Sequence, residues 1–140
     1  MKFTIKPLEG VDCGGTLISP GALKSTVAAA LGEPEGVYKK SFYYFKNELR
    51  IDFDENECVR FIEFLGGADG RLRPWIFGVS VFDTDADELT ALLAEHNSEA
   101  PVDNENGHCL LFRNIGVGIY RDVIAERWST IGIGSKDYYV

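Results

Sequence analysis

The sequence predicts an α+β protein: two helix-plus-antiparallel-sheet motifs sharing one core. Three observations carry that expectation. Each half of the chain holds one stretch with apolar residues at helical spacing, the runs that follow alternate in strand fashion, and Gly66-Gly67-Ala68-Asp69-Gly70 interrupts the pattern near the middle. Turns of a few residues separate the strand runs, whereas a parallel crossover needs about a dozen or more, so sequence neighbours must pair antiparallel. At 140 residues the chain fits a single domain, 1–140, with motif halves at about 1–66 and 71–140. The repeated order is that of a diverged duplication, although identity between the halves is too poor to establish one. Hydrophobic residues at 45% and charged residues at 26% exclude a disordered or fibrous chain.

The first element is a short strand from Phe3 to Lys6. Ser19-Pro20-Gly21 then opens a helix over about 21–31, with Ser19 as cap, Pro20 in the first turn, Leu23, Val27, Ala30 and Leu31 on one face, and Gly32 with Pro34 as its stop. Tyr38, Phe42, Tyr43, Tyr44 and Phe45 form the next strand. Leu49, Ile51 and Phe53 alternate with Arg50, Asp52 and Asp54 in another, and Val59 to Leu65 makes a third, joined through Lys46-Asn47 and Asp54-Glu55-Asn56. Past the glycine break, Trp75 to Phe82 is apolar enough for a buried strand. Asp83-Thr84-Asp85 opens a helix over about 85–96, in which Leu89, Leu92, Leu93 and His96 make one stripe. After a polar loop from Asn97 to Gly107 come strands at His108 to Arg113, Gly116 to Arg121 and Trp128 to Gly134, with Tyr138-Tyr139-Val140 as a final pairing segment.

Charge narrows the choice of partner. Acidic residues outnumber basic ones by 22 to 14, for a net charge of −8, which argues against nucleic acid because phosphate binding needs a basic surface. The excess is localised. No Lys or Arg stands between Arg73 and Arg113, where Asp83, Asp85, Asp87, Glu88, Glu95, Glu99, Asp103 and Glu105 all fall. Such a patch keeps a protein soluble, and it can also steer a cationic protein into contact. No apolar run approaches the roughly 18–20 residues of a membrane span, and Met1 to Lys6 leads into Pro7 rather than a signal core, so a cytoplasmic protein is expected.

Catalytic and metal signatures are weak. Cys13, Cys58 and Cys109 stand far apart, without a C-x-x-C pair, and read as buried reduced thiols. Only His96 and His108 could serve a triad or dyad; His96 reads as a core-edge or helix-end residue, and neighbours such as His108 and Cys109 on a strand point to opposite faces. The acidic run from Asp83 begins like a calcium loop but has Glu88 and Ala94 where such a loop needs Gly and Glu, so it reads as a helix start, and no metal or cofactor is expected. Gly116-Val117-Gly118 lacks the third glycine and following helix of a nucleotide loop. Glycines alternating there and at Gly132 and Gly134 leave one strand face bare, to be covered by a helix or an aromatic ring. Asp52 and Asp54 share a solvent-side face and are not read as catalytic.

Two stretches carry resemblances. Gly21, Val27, Leu31-Gly32 and Pro34 are similar to the helix pattern of the small lipoprotein of the bacterial outer-membrane assembly machine and of the β-lactamase inhibitory proteins. Those families pack helices on an antiparallel sheet and bind proteins without catalysis. Leu23 stands where they usually place Thr, and no lipobox is read, so anchoring is not carried over. Gly116 to Arg121, followed by Ile131-Gly132-Ile133 and Tyr138-Tyr139, resembles the ending of small uncharacterised bacterial proteins, some of them immunity-like. Together these imply a non-enzymatic binding protein. The expected contact set for a basic partner, such as a toxin nuclease domain, is Asp83, Asp85, Asp87, Glu88, Glu95 and Glu99. The alternative is a small-molecule pocket or an enzyme site between sheet and helices, lined by Tyr43, Trp75, Tyr120 and Trp128.

Overall fold

Short turns and alternating side chains decide the architecture of this chain, whose computed structural model describes residues 1–124, 126–135 and 137–139. The first half runs β1 (Phe3–Lys6), β2 (Gly10–Cys13), β3 (Thr16–Ile18), α1 (Lys24–Leu31), β4 (Gly36–Tyr38), β5 (Ser41–Tyr44), β6 (Leu49–Phe53) and β7 (Val59–Phe64). The second runs β8 (Trp75–Ile76), β9 (Val79–Ser80), a 3-10 turn (Val81–Asp83), α2 (Ala86–Asn97), β10 (Val102–Asp103), β11 (Cys109–Phe112), β12 (Val117–Tyr120) and β13 (Thr130–Gly134). A five-stranded sheet has the order β3-β2-β1-β8-β9, and an eight-stranded sheet the order β10-β11-β12-β13-β7-β6-β5-β4. The α+β class is as the sequence predicts, with sheet the larger part. No helix among the described residues is long and apolar enough to cross a membrane.

Among the described residues every strand pairing except one is antiparallel. The exception is β1 with β8, where Thr4 faces Trp75 and Ile5 faces Ile76 in parallel. This departs from the all-antiparallel expectation for a simple reason: the whole first motif separates the two strands, so no short turn dictates their relative direction. Three antiparallel strands and a helix in the first half, and a hairpin and a helix in the second, precede a four-stranded meander, and the last strands of the two meanders, β7 and β13, pair with each other. The order of elements thus repeats from one half to the other.

Alternation sorts the large sheet into two unlike faces. Leu49, Ile51, Phe53, Ile62, Phe64, Leu110, Phe112, Val117, Ile119, Ile131 and Ile133 are buried on one side. Val27 of α1, Leu89 and Leu93 of α2, and Phe3, Ile5, Val11, Ile18 and Ile76 of the small sheet join them in one continuous core. The opposite face carries a row read straight across the register: Gly36, Tyr43, Arg50, Glu63, Gly132, Gly118, Leu111 and Val102.

Local geometry departs from the sequence reading in several places. Ser19 does not cap α1, which starts at Lys24 with Leu23 as a cap lacking any side-chain bond. The backbone before it is already engaged by the strand ladder: Gly21 N–H donates to the Val59 carbonyl (2.7 Å), and Val59 N–H to that of Ala22 (2.7 Å). Leu23 is consequently exposed and bridged to Cys58 rather than packed in the helix stripe. The run from Tyr38 to Phe45 folds back at Lys39-Lys40, and Trp75 to Phe82 folds back at Phe77-Gly78, both with positive φ (48° and 81°), so each is a hairpin instead of one strand. Two further strands, β2 and β3, fill the stretch after Phe3 to Lys6, and β10 interrupts the polar loop. Tyr138 and Tyr139 lie in a turn rather than a strand, and Val140 falls outside the described residues.

Helix α2 buries Leu89, Leu93 and Asn97 one turn apart, while Leu92 is half-buried and His96 is exposed, stacked on Phe77 at 3.6 Å between ring centroids. Asn97, only 2% exposed, is satisfied on every side that matters for the helix end. Its Oδ1 accepts from Asn114 N–H (2.8 Å), its carbonyl from Asn114 Nδ2 (2.8 Å), and its Nδ2 donates to the Glu99 carbonyl (3.0 Å). The end of α2 is thereby fixed to the turn between β11 and β12. Leu93→Ala should cost about 2–5 kcal/mol in urea denaturation, as expected for a buried leucine that leaves a cavity, and Leu92→Ala roughly half as much, in proportion to the area it buries. Equal losses would show that α2 is rotated from the orientation described.

Candidate functional site

The acidic cluster is an outcome of how α2 starts. Asp85 is its N-cap, accepting from the N–H groups of Asp87 (3.2 Å) and Glu88 (3.3 Å), which satisfies donors that a helix start otherwise leaves open. Asp83 accepts from Ser80 Oγ (2.7 Å) and lies 3.6 Å from Arg73 Nε. Arg73 is itself clasped by the glycine break: its guanidinium donates to the carbonyls of Gly67 (3.0 Å), Ala68 (2.6 Å) and Gly70 (2.7 Å). Two of the expected contact residues thus have structural duties. Asp87, Glu88, Glu95 and Glu99 are exposed and form no ion pair among the described residues. With Leu89 and Leu93 turned inward, helical periodicity places Glu88 and Glu95 together on the outward face.

Beside this helix start opens a cleft of about 600 Å³. Asp69, Asp85 and Glu126 reach it from three separate segments, Arg127 adds one positive charge, and Trp128 closes its base. The indole is a structural anchor, buried to 1% exposure, with Nε1 donating to the Ala86 carbonyl (3.2 Å) and Thr90 Oγ1 (3.1 Å). Arg121 lies 4.0 Å above its ring, and Arg121 Nη1 donates to the Glu126 carbonyl (3.1 Å). The cleft is open and polar, and among the described residues no three His, Cys, Asp or Glu side chains converge as a metal site.

The aromatic quartet does not come together. Trp128 sits under α2, and Trp75 lies in the small sheet with Lys2 Nζ 5.1 Å above it. Tyr43 and Tyr120 share the outer face of the large sheet, but β6, β7 and β13 stand between their strands. At about 4.8 Å per strand that separation is roughly 19 Å. Tyr120 is occupied locally, donating its hydroxyl to Asp122 Oδ1 (2.8 Å). Period-two alternation places each ring on a face but cannot say which strands become neighbours.

A different site emerges on that outer face. Phe61, Tyr138 and Tyr139 cover the glycines of β12 and β13: Phe61 stacks on Tyr138 at 4.6 Å, and a Cβ at Gly118 would sit 2.6 Å from the Tyr139 hydroxyl. The bare strand face expected from the glycine alternation is therefore real, and rings fill it. Next to them a groove of about 260 Å³ runs across the strands between Glu63 on one side and Cys109 and Leu111 on the other, with Tyr120 and Thr130 at one end. Burial pushes the Glu63 carboxyl up, against the opposing pull of Arg50 and with added repulsion from Asp52. Burial, with the neighbouring Glu105 carboxylate, raises the Cys109 thiol to about 11, so it stays protonated and unreactive near neutral pH. Arg50, Glu63, Phe61 and Tyr139 were not read as site residues; the signal for them was the glycine alternation opposite two strand carboxylates.

Comparison of the chain with protein-family models, with curated proteins and with solved structures finds no match. The site therefore rests on its own geometry. Gly118→Ala should cost about 1–3 kcal/mol, the range for forcing extra volume into a packed site, and should increase the exposure of Tyr139, read by tyrosine fluorescence and thermal melting. A variant as stable as the wild type, with Tyr139 unmoved, would show that the ring does not seat on the glycine.

Proposed function

We propose that this chain is a non-enzymatic protein-binding module, of the bacterial immunity or inhibitor kind, which engages a basic protein partner through the outward face of α2. The observation that carries this reading is the set of exposed carboxylates Asp87, Glu88, Glu95 and Glu99, which have no counter-ion among the described residues. Like charges clustered on one helix, as Asp87, Glu88 and Glu95 are, and just beyond its end, as Glu99 is, attract a cationic surface over a distance. Asp83 and Asp85 contribute to the same field while serving the helix start, and Asp69 and Glu126 extend it across the neighbouring cleft. Of the nearby cations, Arg73 is held by backbone carbonyls and Arg121 by Trp128 and the Glu126 carbonyl, while Arg127 leaves one positive charge at the cleft. A cytoplasmic setting suits the three free thiols, of which burial holds Cys13 up to about 12. The resemblance of the glycine-rich strands to immunity-like proteins agrees with a binding role.

The test is affinity capture from the source organism with wild type and with a variant carrying Glu88→Lys, Glu95→Lys and Glu99→Lys, followed by association kinetics on the captured protein. These positions spare the cap, so the fold should survive, and circular dichroism verifies it. Association is expected to slow by about tenfold or more in the variant and to lose most of its salt dependence. A partner that is not basic, or whose binding ignores both charge reversal and salt, would end this reading.

A further inference from the structure

We propose that β4, the open edge of the large sheet, pairs antiparallel with β4 of a second copy of this chain, joining two eight-stranded sheets into one across a twofold axis at Val37. This edge lies at the end of the sheet away from β11, the strand on which α2 packs, so it is independent of the acidic-helix reading.

The backbone is the first argument. β4 ends the strand order, and nothing among the described residues pairs with its outer side. Lys39 and Lys40 form a two-residue turn between the paired residues Tyr38 and Ser41, with Lys39 at φ 54°. Such a turn makes Tyr38 and Ser41 a hydrogen-bonded pair, and the bonds recur at every second residue, so Val37 turns its N–H and C=O away from β5. An antiparallel strand centred on Val37 would take up both groups at once. The two ends of the large sheet are also unlike. β10 carries Asp103 and follows Pro101, features that blunt an edge, whereas Gly36-Val37-Tyr38 has neither a charge nor a proline. Val37 and Tyr38 are 62% and 64% exposed, and among the described residues only Met1 is a more exposed large apolar side chain.

Charge and side-chain size select a second copy as the occupant. The segment Glu33-Pro34-Glu35-Gly36-Val37-Tyr38-Lys39-Lys40 has its acids before the strand and its bases after it. Antiparallel pairing centred on Val37 sets Lys39 of each copy against Glu35 of the other, and Tyr38 against Gly36, whereas parallel pairing would set like charges side by side. Glu35 and Lys39 are exposed, and neither forms an ion pair among the described residues. Glu35 is held in place by the Lys46 N–H, which donates to its Oε1 (2.6 Å), and Lys39 Nζ lies 5.4 Å from the centre of the Tyr38 ring. Gly36 offers the matching space. A Cβ there would meet only Tyr43 Cβ, at 3.8 Å, so the Tyr38 ring of the second copy can lie over the glycine and against Tyr43, on the face that all three share. The same patch serves both copies, as a twofold interface requires. A three-residue strand makes a small contact, so the dimer belongs to the weak, transient class.

Sedimentation velocity of the full chain at low ionic strength, from about 10 μM to about 1 mM, covers the range of a weak association. Wild type is expected to shift from monomer toward dimer with concentration. Val37→Pro removes the outward N–H where β5 receives no bond, so the fold should survive, as circular dichroism verifies. It should weaken the dimer at least about tenfold, equal to about 1.4 kcal/mol. Lys39→Glu and Glu35→Lys should each weaken it about fivefold or more when alone, because each opposes like charges at both symmetric contacts. An equimolar mixture of the two should regain association, because both contacts of the mixed dimer then join opposite charges. Glu35→Lys also gives up the Lys46 contact, and the mixture controls for that loss, since only complementary charge restores pairing. A wild type still monomeric at the highest concentration, a dimer undiminished by Val37→Pro or by the single charge reversals, or a mixture no more associated than its components would overturn the proposal.

Discussion

The antiparallel pairing of β7 with β13 is the constraint on which the rest of this molecule depends. It sets Phe64 against Ile131, Glu63 against Gly132, Ile62 against Ile133 and Phe61 against Gly134. That register joins two meanders into one continuous sheet and gives them a common apolar face, so both helices and the small sheet pack against a single core. A slip of one residue would turn Ile131 and Ile133 outward and drive Gly132 and Gly134 into the core, a loss of buried apolar area that no surface contact could offset. The same register places the bare glycines beside Glu63 and Phe61. Core and groove are two faces of one pairing.

The charge distribution follows from the layers. Carboxylates near the start of α2 cap it, brace the 3-10 turn through Ser80 and Arg73, or face water. On the other side of the large sheet, Asp52 and Glu63 compete for Arg50 within a partly covered surface. The two acidic regions differ physically. Charges on the helix act at long range and are screened by salt, whereas the strand carboxylate sits beside rings and low-dielectric surface, where a short-range partner matters more. The two regions therefore differ in how far their charge reaches.

Much of this fold is legible in the residues wherever one local rule acts alone. Leu49, Ile51 and Phe53 alternate and are buried as alternation demands, and Asp85 stands where a helix cap is wanted. The reading fails where two rules compete. Ser19-Pro20-Gly21 is a plausible helix start, but the ladder formed by Gly21, Ala22 and Val59 claims that backbone first. Phe77-Gly78 lies inside an apolar run, and its turn becomes visible only through positive φ at both residues. Leu92 and His96 fit a helical stripe, yet the face is set by Asn97, whose polar side chain is buried because Asn114 meets it from a distant turn. The groove is hidden for a related reason. Glycine alternation announces a bare face, but only the strand order brings Glu63 from the first half against Gly132 of the second.

Cross-strand proton contacts measured by nuclear Overhauser spectroscopy test the central pairing directly. The pairing requires direct Hα–Hα or amide–amide contacts between Ile62 and Ile133 and between Glu63 and Gly132. Hα–Hα or amide–amide contacts pairing Glu63 with Ile131 or Ile133 instead, or an absence of contacts between β7 and β13, would contradict it, because the shared core and the groove would then have no common origin.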